Sequence, residues 1–165
     1  MAQISIISEQ VQLKCSGLKF YETYIKKIGS LHQMFPENLK SYEIVEGNGF
    51  TNGIISHWKY DFGSLTEAKL RLVMDEPNKS ITLEFLEGDL FRDFEVFKVK
   101  VEVSDGGSHG MSSVKWCVEF VKTNEDVPPP HNYLQFGLKL CKALDAYISK
   151  KVMSLCESCL KVKST

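Results

Sequence analysis

Between Ser41 and Thr123 the chain runs through six β-like segments, about Ser41–Glu46, Gly53–Phe62, Thr66–Asp75, Ser80–Glu87, Phe91–Ser104 and Ser112–Thr123, separated by Gly, Asn, Asp or Pro signals. The connections are too short for crossover helices, so consecutive strands must pair antiparallel as a meander. In the fifth segment Phe97, Val99, Val101 and Val103 alternate with Lys98, Lys100 and Glu102, and Val114, Trp116, Val118 and Phe120 repeat the pattern in the sixth. One face of this sheet is therefore dry and needs a cover.

The flanking sequence supplies that cover. The β-branched opening Gln3–Leu13 reads as a first strand. Ser16 then offers an N-cap for an amphipathic helix from Leu18 to Ile28, closed at Gly29, and a second short helix from Ser30 to Phe35 stops at Pro36. After Pro128, Pro129 and Pro130 the run His131–Lys151 carries Tyr133, Phe136, Leu140, Leu144 and Ile148 on one helical stripe. Seven strands are too many to lie flat, and a curled sheet gripping one helix keeps space inside. The expected fold is α+β of the helix-grip type: a seven-stranded curved antiparallel sheet with two short helices and one long C-terminal helix enclosing an apolar cavity. A single domain is expected over residues 1–151. Residues 152–165 form a tail or a helix extension, since Leu155, Cys159 and Val162 keep a three-to-four step.

Composition narrows the partners. A length of 165 residues suits one domain, and 43% apolar with 25% charged residues is ordinary for a globular protein without a membrane span. Twenty basic against 21 acidic side chains leave a net charge of −1, so no field gathers nucleic acid. Five scattered cysteines, Cys15, Cys117, Cys141, Cys156 and Cys159, fit reduced thiols better than a disulfide framework. Met1-Ala2-Gln3-Ile4-Ser5 opens directly with strand-like sequence and no secretory pattern. The expected location is cytoplasmic, and the expected state is a monomer or weak homodimer.

The dry faces predict the cavity wall. Trp58, Tyr60, Leu70, Leu72, Leu83 and Phe85 come from the middle strands, and Phe97, Val99, Val101, Trp116 and Val118 from the last two. Tyr24 comes from the first helix, and Tyr133, Phe136, Leu140 and Leu144 from the long one. Such a lining would hold an amphipathic small molecule with few polar groups to orient it. Burying about 300 Å² of its apolar surface at about 25 cal/mol/Å² gives about 7 kcal/mol before association costs, which implies micromolar affinity.

Several segments together resemble a known family. Glu87-Gly88-Asp89-Leu90 followed by Asp93-Phe94-Glu95-Val96-Phe97, and Lys122-Thr123-Asn124-Glu125-Asp126 leading through the prolines to Tyr133-Leu134-Gln135-Phe136, are similar in order and spacing to the plant major latex proteins. These are a branch of the birch-pollen-allergen and class-ten pathogenesis-related superfamily, START-like in architecture, and the likeness runs from Ile4 to about Lys150. Gly47-Asn48-Gly49-Phe50-Thr51-Asn52-Gly53 falls where that superfamily has its glycine-rich loop, although the allergen branch has a denser glycine run and Phe50 departs from it. The resemblance implies a hydrophobic ligand such as a cytokinin, steroid, flavonoid or long-chain lipid, and a setting in plant defence or specialised metabolism. It also implies an alternative, because some relatives are enzymes of alkaloid or terpenoid pathways.

The remaining motifs point to less chemistry. Gly47, Gly49 and Gly53 lack the Gly-Lys-Ser/Thr ending and following helix of a phosphate loop, so they read as a wide hairpin turn or a lid over the cavity. Cys156 and Cys159 have redox spacing but no second pair for zinc. His32, His57, His109 and His131 lie in separate segments, so no metal and no cofactor is expected. By alternation His57 points outward. Glu9, Tyr24, Tyr60, Asp89 and Tyr133 are the groups that would bring a polar atom near the cavity. For a cofactor-free cyclase or isomerase the catalytic candidates are Asp89, Tyr133 and His131, the last at the first turn of the long helix, where helix-start polarity is the alternative. No nucleophile elbow or paired-carboxylate motif is present, and the gate motifs of related hormone receptors are missing.

Overall fold

The computed structural model describes residues 3–48, 51–106 and 111–163, without side chains for residues 151–163. Its elements are β1 Ser5–Gln12, α1 Gly17–Lys27, α2 Leu31–Met34, β2 Leu39–Glu46, β3 Ile55–Asp61, β4 Leu65–Asp75, β5 Ser80–Gly88, β6 Phe94–Ser104, β7 Ser113–Lys122 and α3 His131–Lys163. The seven strands form one sheet in the order β1-β7-β6-β5-β4-β3-β2, every neighbouring pair antiparallel. The strands β2 to β7 form a meander, and β1 joins at the far side by pairing with β7, Ser5 opposite Phe120.

Local sequence sets the element ends. Ser16 caps α1, its hydroxyl accepting from the Lys19 N–H at 3.1 Å, and Lys26 and Lys27 meet the negative end of the helix dipole. Instead of ending at Gly29, the helix tightens into a 3₁₀ turn at Ile28–Ser30 and continues as α2, which stops before Pro36. One strand begins later than the alternation predicts. Asp89–Arg92 forms a 3₁₀ turn because the Asp89 carboxylate accepts from the Glu67 N–H at 3.0 Å and pairs with Arg92 at 3.3 Å. Gly88 ahead of it has φ +145°, and a Cβ there would overlap the Glu67 carbonyl, so β4 and the turn approach closely only through glycine.

Register shifts in β2, at Leu86 of β5 opposite Lys69/Leu70 and at Phe94/Val96 in β6 mark bulges, which bend the strands and curl the sheet. On its concave side Phe97, Val99, Val101, Val114, Trp116, Val118 and Phe120 are buried against α1 and α3. The middle of α3 seats Leu140, Cys141, Leu144 and Ile148, all at most 2% exposed. Among them is one carboxylate. Asp145 is only 8% exposed and accepts from the Lys14 N–H at 2.9 and 3.1 Å and the Cys15 N–H at 3.0 Å, tying α3 to the turn after β1. Two backbone donors thus satisfy the buried charge.

The backbone of α3 stays helical through residue 163, past the Lys151 boundary read from the stripe. Gly49 and Phe50 of the glycine loop and His109 lie outside the described residues, as do the side chains of Cys156 and Cys159. Gly47 and Gly53 adopt φ +102° and +91°, values suited to a wide turn. Among the described residues, no helix is long and apolar enough to cross a membrane.

Candidate functional site: an apolar cavity and its polar mouth

The first turns of α3 meet the sheet through Tyr133, against Phe97, and Gly137, against Trp116, and leave a gap beside these contacts. Between them and β3–β7 lies a cavity of about 80 Å³, closed from one side by α1, α2 and the start of β2. Its wall consists of Tyr24, Ile28, Leu31, Leu39, Trp58, Tyr60, Phe62, Leu70, Leu83, Phe85, Val99, Trp116, Tyr133, Phe136 and Leu140. Aromatic rings set its size. Phe62 stacks on Phe136 with centroids 4.5 Å apart, Tyr133 meets Phe97 at 4.7 Å and Phe62 at 5.1 Å, and Phe85 meets Phe97 at 5.0 Å. These edge-to-face and offset contacts fix ring orientations, so the space is shaped by rigid side chains.

Polar atoms on this wall are few. The Trp58 indole N–H donates to the Ser56 hydroxyl at 2.9 Å. The hydroxyls of Tyr60 and Tyr133 lie 2.6 Å apart, a short hydrogen bond. Burial pushes the Tyr133 hydroxyl up to about 12, and burial reinforced by Tyr133 and Asp89 drives Tyr60 upward too. Both are therefore neutral at physiological pH and act as hydrogen-bond partners, not as bases. The Trp116 indole N–H is buried and meets no acceptor among the described residues. Its ring lies so close to Gly137 of α3 that a Cβ there would overlap it.

A second recess of about 380 Å³ opens beside the first, between the β3–β4 turn, the Asp89–Arg92 turn and the proline entry to α3. Ser64, Thr66, Asp89, Arg92, Asp93 and Asn132 give it a polar lining, and Tyr133 belongs to both spaces. The Glu67 N–H, then Arg92, hold the Asp89 carboxyl below its usual range, so it is an anion at neutral pH.

The structure sorts the sequence-predicted residues into three groups. Tyr24, Trp58, Tyr60, Leu70, Leu83, Phe85, Val99, Trp116, Tyr133, Phe136 and Leu140 border the cavity. Leu72, Val101, Val118 and Leu144 point inward but lie in the packed core, and Phe97 is buried directly behind the wall rings Phe85 and Tyr133. Asp89 reaches the outer recess, whereas His131 and Glu9 are exposed and border neither space. His57 faces outward and lies 3.5 Å from Glu67. Ile28, Leu31, Leu39 and Phe62 complete the wall, and sequence reasoning does not single them out as lining. The four-residue step from Tyr24 to Ile28 is the available signal. No group of three or more metal-ligating side chains occurs among the described residues.

A curved sheet closed by one helix over an apolar space, with hydroxyls at its mouth, defines a helix-grip cavity protein. The chain belongs to the pathogenesis-related protein Bet v 1 family, whose family model matches residues 2–151. That family is known for ligand binding. Among similar proteins, MLP-like protein 34 of Arabidopsis thaliana is 31% identical over 144 residues, 86% of this chain and 46% of that protein. The chain thus spans about half the length of that relative. Major latex protein 149 of Papaver somniferum is 30% identical over 146 residues, 87% of this chain and 90% of that protein. A crystal structure of ginseng major latex-like protein 151 from Panax ginseng superposes with a TM-score of 0.78 at 28% identity, covering 87% of this chain and 97% of that one. Norcoclaurine synthase from Thalictrum flavum, in complex with dopamine and hydroxybenzaldehyde, shares the fold with a TM-score of 0.71 at 18% identity, covering 93% and 88% of the two chains.

Proposed function

We propose that this protein binds a compact, largely apolar plant metabolite, hormone or lipid fragment in the cavity between α3 and the sheet. The observation that carries this reading is the wall itself, apolar and aromatic apart from the phenols of Tyr24, Tyr60 and Tyr133 and two indole N–H groups. A void costs the fold the contacts its lining would otherwise make, and a fitting ligand returns them. At about 80 Å³, against the cavity of about 150 Å³ that holds benzene in an engineered core, the space suits a single small ring and not a whole steroid. Burying about 200 Å² of a ligand contributes about 5 kcal/mol before association costs, so affinity no tighter than submillimolar is expected.

The alternative is a cofactor-independent cyclase or isomerase using the same cavity, and the fold shared with norcoclaurine synthase motivates it. The chemistry of the wall favours binding over turnover. Both tyrosines are held protonated, and the anionic Asp89 and exposed His131 stand outside the inner space. A cytoplasmic setting, in defence or specialised metabolism, belongs to the same proposal. Cys15, Cys117 and Cys141 are free thiols, which suits a reducing compartment.

Native mass spectrometry after incubation with a plant metabolite extract tests the reading. One small molecule retained per folded chain is the expected result. An extract whose components are converted, with none retained, would replace the carrier by the enzyme.

A further inference from the structure

The inner cavity and the outer recess meet at one side chain. Tyr133 borders both, its ring packed edge-on to Phe62 and tilted against Phe97, its hydroxyl on that of Tyr60 at 2.6 Å. The two spaces differ in every respect that matters to a ligand. Inside, the wall is apolar and the volume about 80 Å³; outside, the volume is about 380 Å³ and the lining carries Ser64, Thr66, Asp89, Arg92, Asp93 and Asn132.

We infer that these are two chambers of one site, divided by the Tyr60–Tyr133 hydroxyl pair, and that the site selects a two-part molecule: a compact ring seated inside, bearing a neutral hydroxyl that joins the tyrosine pair and leads outward. This inference rests on the cavity reading above and names the ligand chemistry of the same site. The pair itself has room for a third partner. Each phenol is both donor and acceptor, so two hydroxyls facing one another leave one donor hydrogen and lone pairs free. A third hydroxyl arriving from the cavity fits that arrangement without leaving a buried group unsatisfied, whereas a bare hydrocarbon ring gains nothing there. Charge then restricts the part of the ligand that points outward. Two carboxylates, Asp89 and Asp93, outnumber one guanidinium, Arg92, which pairs with Asp89 at 3.3 Å. The recess therefore disfavours a carboxylate-bearing tail and accepts a neutral one.

The test compares three fluorinated probes of one ring, fluorobenzene, 4-fluorophenol and 4-fluorobenzoate, by fluorine NMR titration of the full chain. One added hydrogen bond between neutral groups predicts about fivefold tighter binding of 4-fluorophenol than of fluorobenzene, with 4-fluorobenzoate the weakest. In the double variant Tyr60→Phe, Tyr133→Phe the phenol-to-benzene ratio should fall towards one, because either phenol left alone could still meet the ligand hydroxyl. Circular dichroism and retained binding of fluorobenzene report that this variant keeps its fold and cavity. Equal affinity for phenol and benzene in the unmodified protein overturns the inference while leaving the cavity reading intact. So does a ratio that survives in a folded variant, or preferred binding of the benzoate. Failure of all three probes to bind removes the cavity reading and the inference together.

Discussion

The first turns of α3, Tyr133 to Leu140, border a cavity, whereas the next ones, Cys141 to Ile148, bury Cys141, Leu144, Asp145 and Ile148 in the core and leave Lys142, Ala146 and Tyr147 exposed. The two stretches share one helix and one apolar stripe, yet they do opposite things. In the second, Leu144 and Ile148 interdigitate with the core, and Asp145 locks the helix to the Lys14 and Cys15 N–H groups. In the first, Phe136 and Tyr133 are half-buried rings that pack against Phe62 and Phe97 along the edge of the cavity. The difference teaches that stability and binding are segregated along the helix. A region that must admit a ligand is underpacked, and a close-packed region beside it holds the helix in place.

Truncations at matched positions give the sharpest way to break that comparison. Leu144→Ala should cost about 3 kcal/mol in denaturant unfolding, within the range for a fully enclosed leucine. Phe136→Ala removes a larger side chain but from the edge of an existing void, and should cost less than Leu144→Ala. Equal or reversed costs would mean that the two stretches do not differ in packing.

A smaller effect of unusual sign is expected at Gly137. Replacing a helical glycine by alanine ordinarily stabilises a protein by about 0.5–1 kcal/mol. Here the new methyl overlaps the Trp116 indole, so Gly137→Ala should instead destabilise by about 1–2 kcal/mol and shift the tryptophan fluorescence. A stabilised variant with unchanged emission would show that the first turns have slack to spare.

A further effect, confined to alkaline solution, is in the pH profile. The Tyr133 hydroxyl is pushed up from its ordinary value near 10 to about 12, so its protonated form is favoured by folding. That contribution is complete below pH about 10 and is lost as the pH rises towards about 12. Urea unfolding of the parent protein should therefore weaken over this window more than that of Tyr133→Phe. Parallel profiles would place the hydroxyl in a wetter setting than the cavity mouth.

The same contrast explains which parts are legible in the sequence. Alternation in β6 and β7 and the stripe on α3 identify inward-facing residues, because period and burial are linked directly. Inward does not mean lining. Val101, Val118 and Leu144 have the same pattern as Val99, Trp116 and Leu140, and only the angle at which α3 descends decides which of them border a space. Ile28 and Leu31 escape notice because their role depends on how α1 bends into α2, a long-range matter that periodicity does not encode. Asp145 does leave a trace, an acidic residue immediately beside a core leucine in the middle of an apolar helix. The Asp89–Arg92 turn hides behind the apolar pair Leu90 and Phe91, which reads as strand until the Asp89 carboxylate is seen to reach back to Glu67.

The lock made by Asp145 also has a bearing on time. Its bonds to Lys14 and Cys15 join positions 131 and 130 residues apart, and β1 takes β7 as its neighbouring strand. A ribosome makes β1 first, but the strand has nothing to pair with until β7 has left the exit tunnel, and the turn after it waits longer still for α3. Ordering such distant segments costs loop entropy before any contact rewards it, which slows the search. Until β7 has emerged, the nascent chain therefore carries an unpaired β1, with Ile7 and the following Leu13, covered in the fold, still open to solvent, a stage at which holding by a chaperone would matter more than it does for the finished protein.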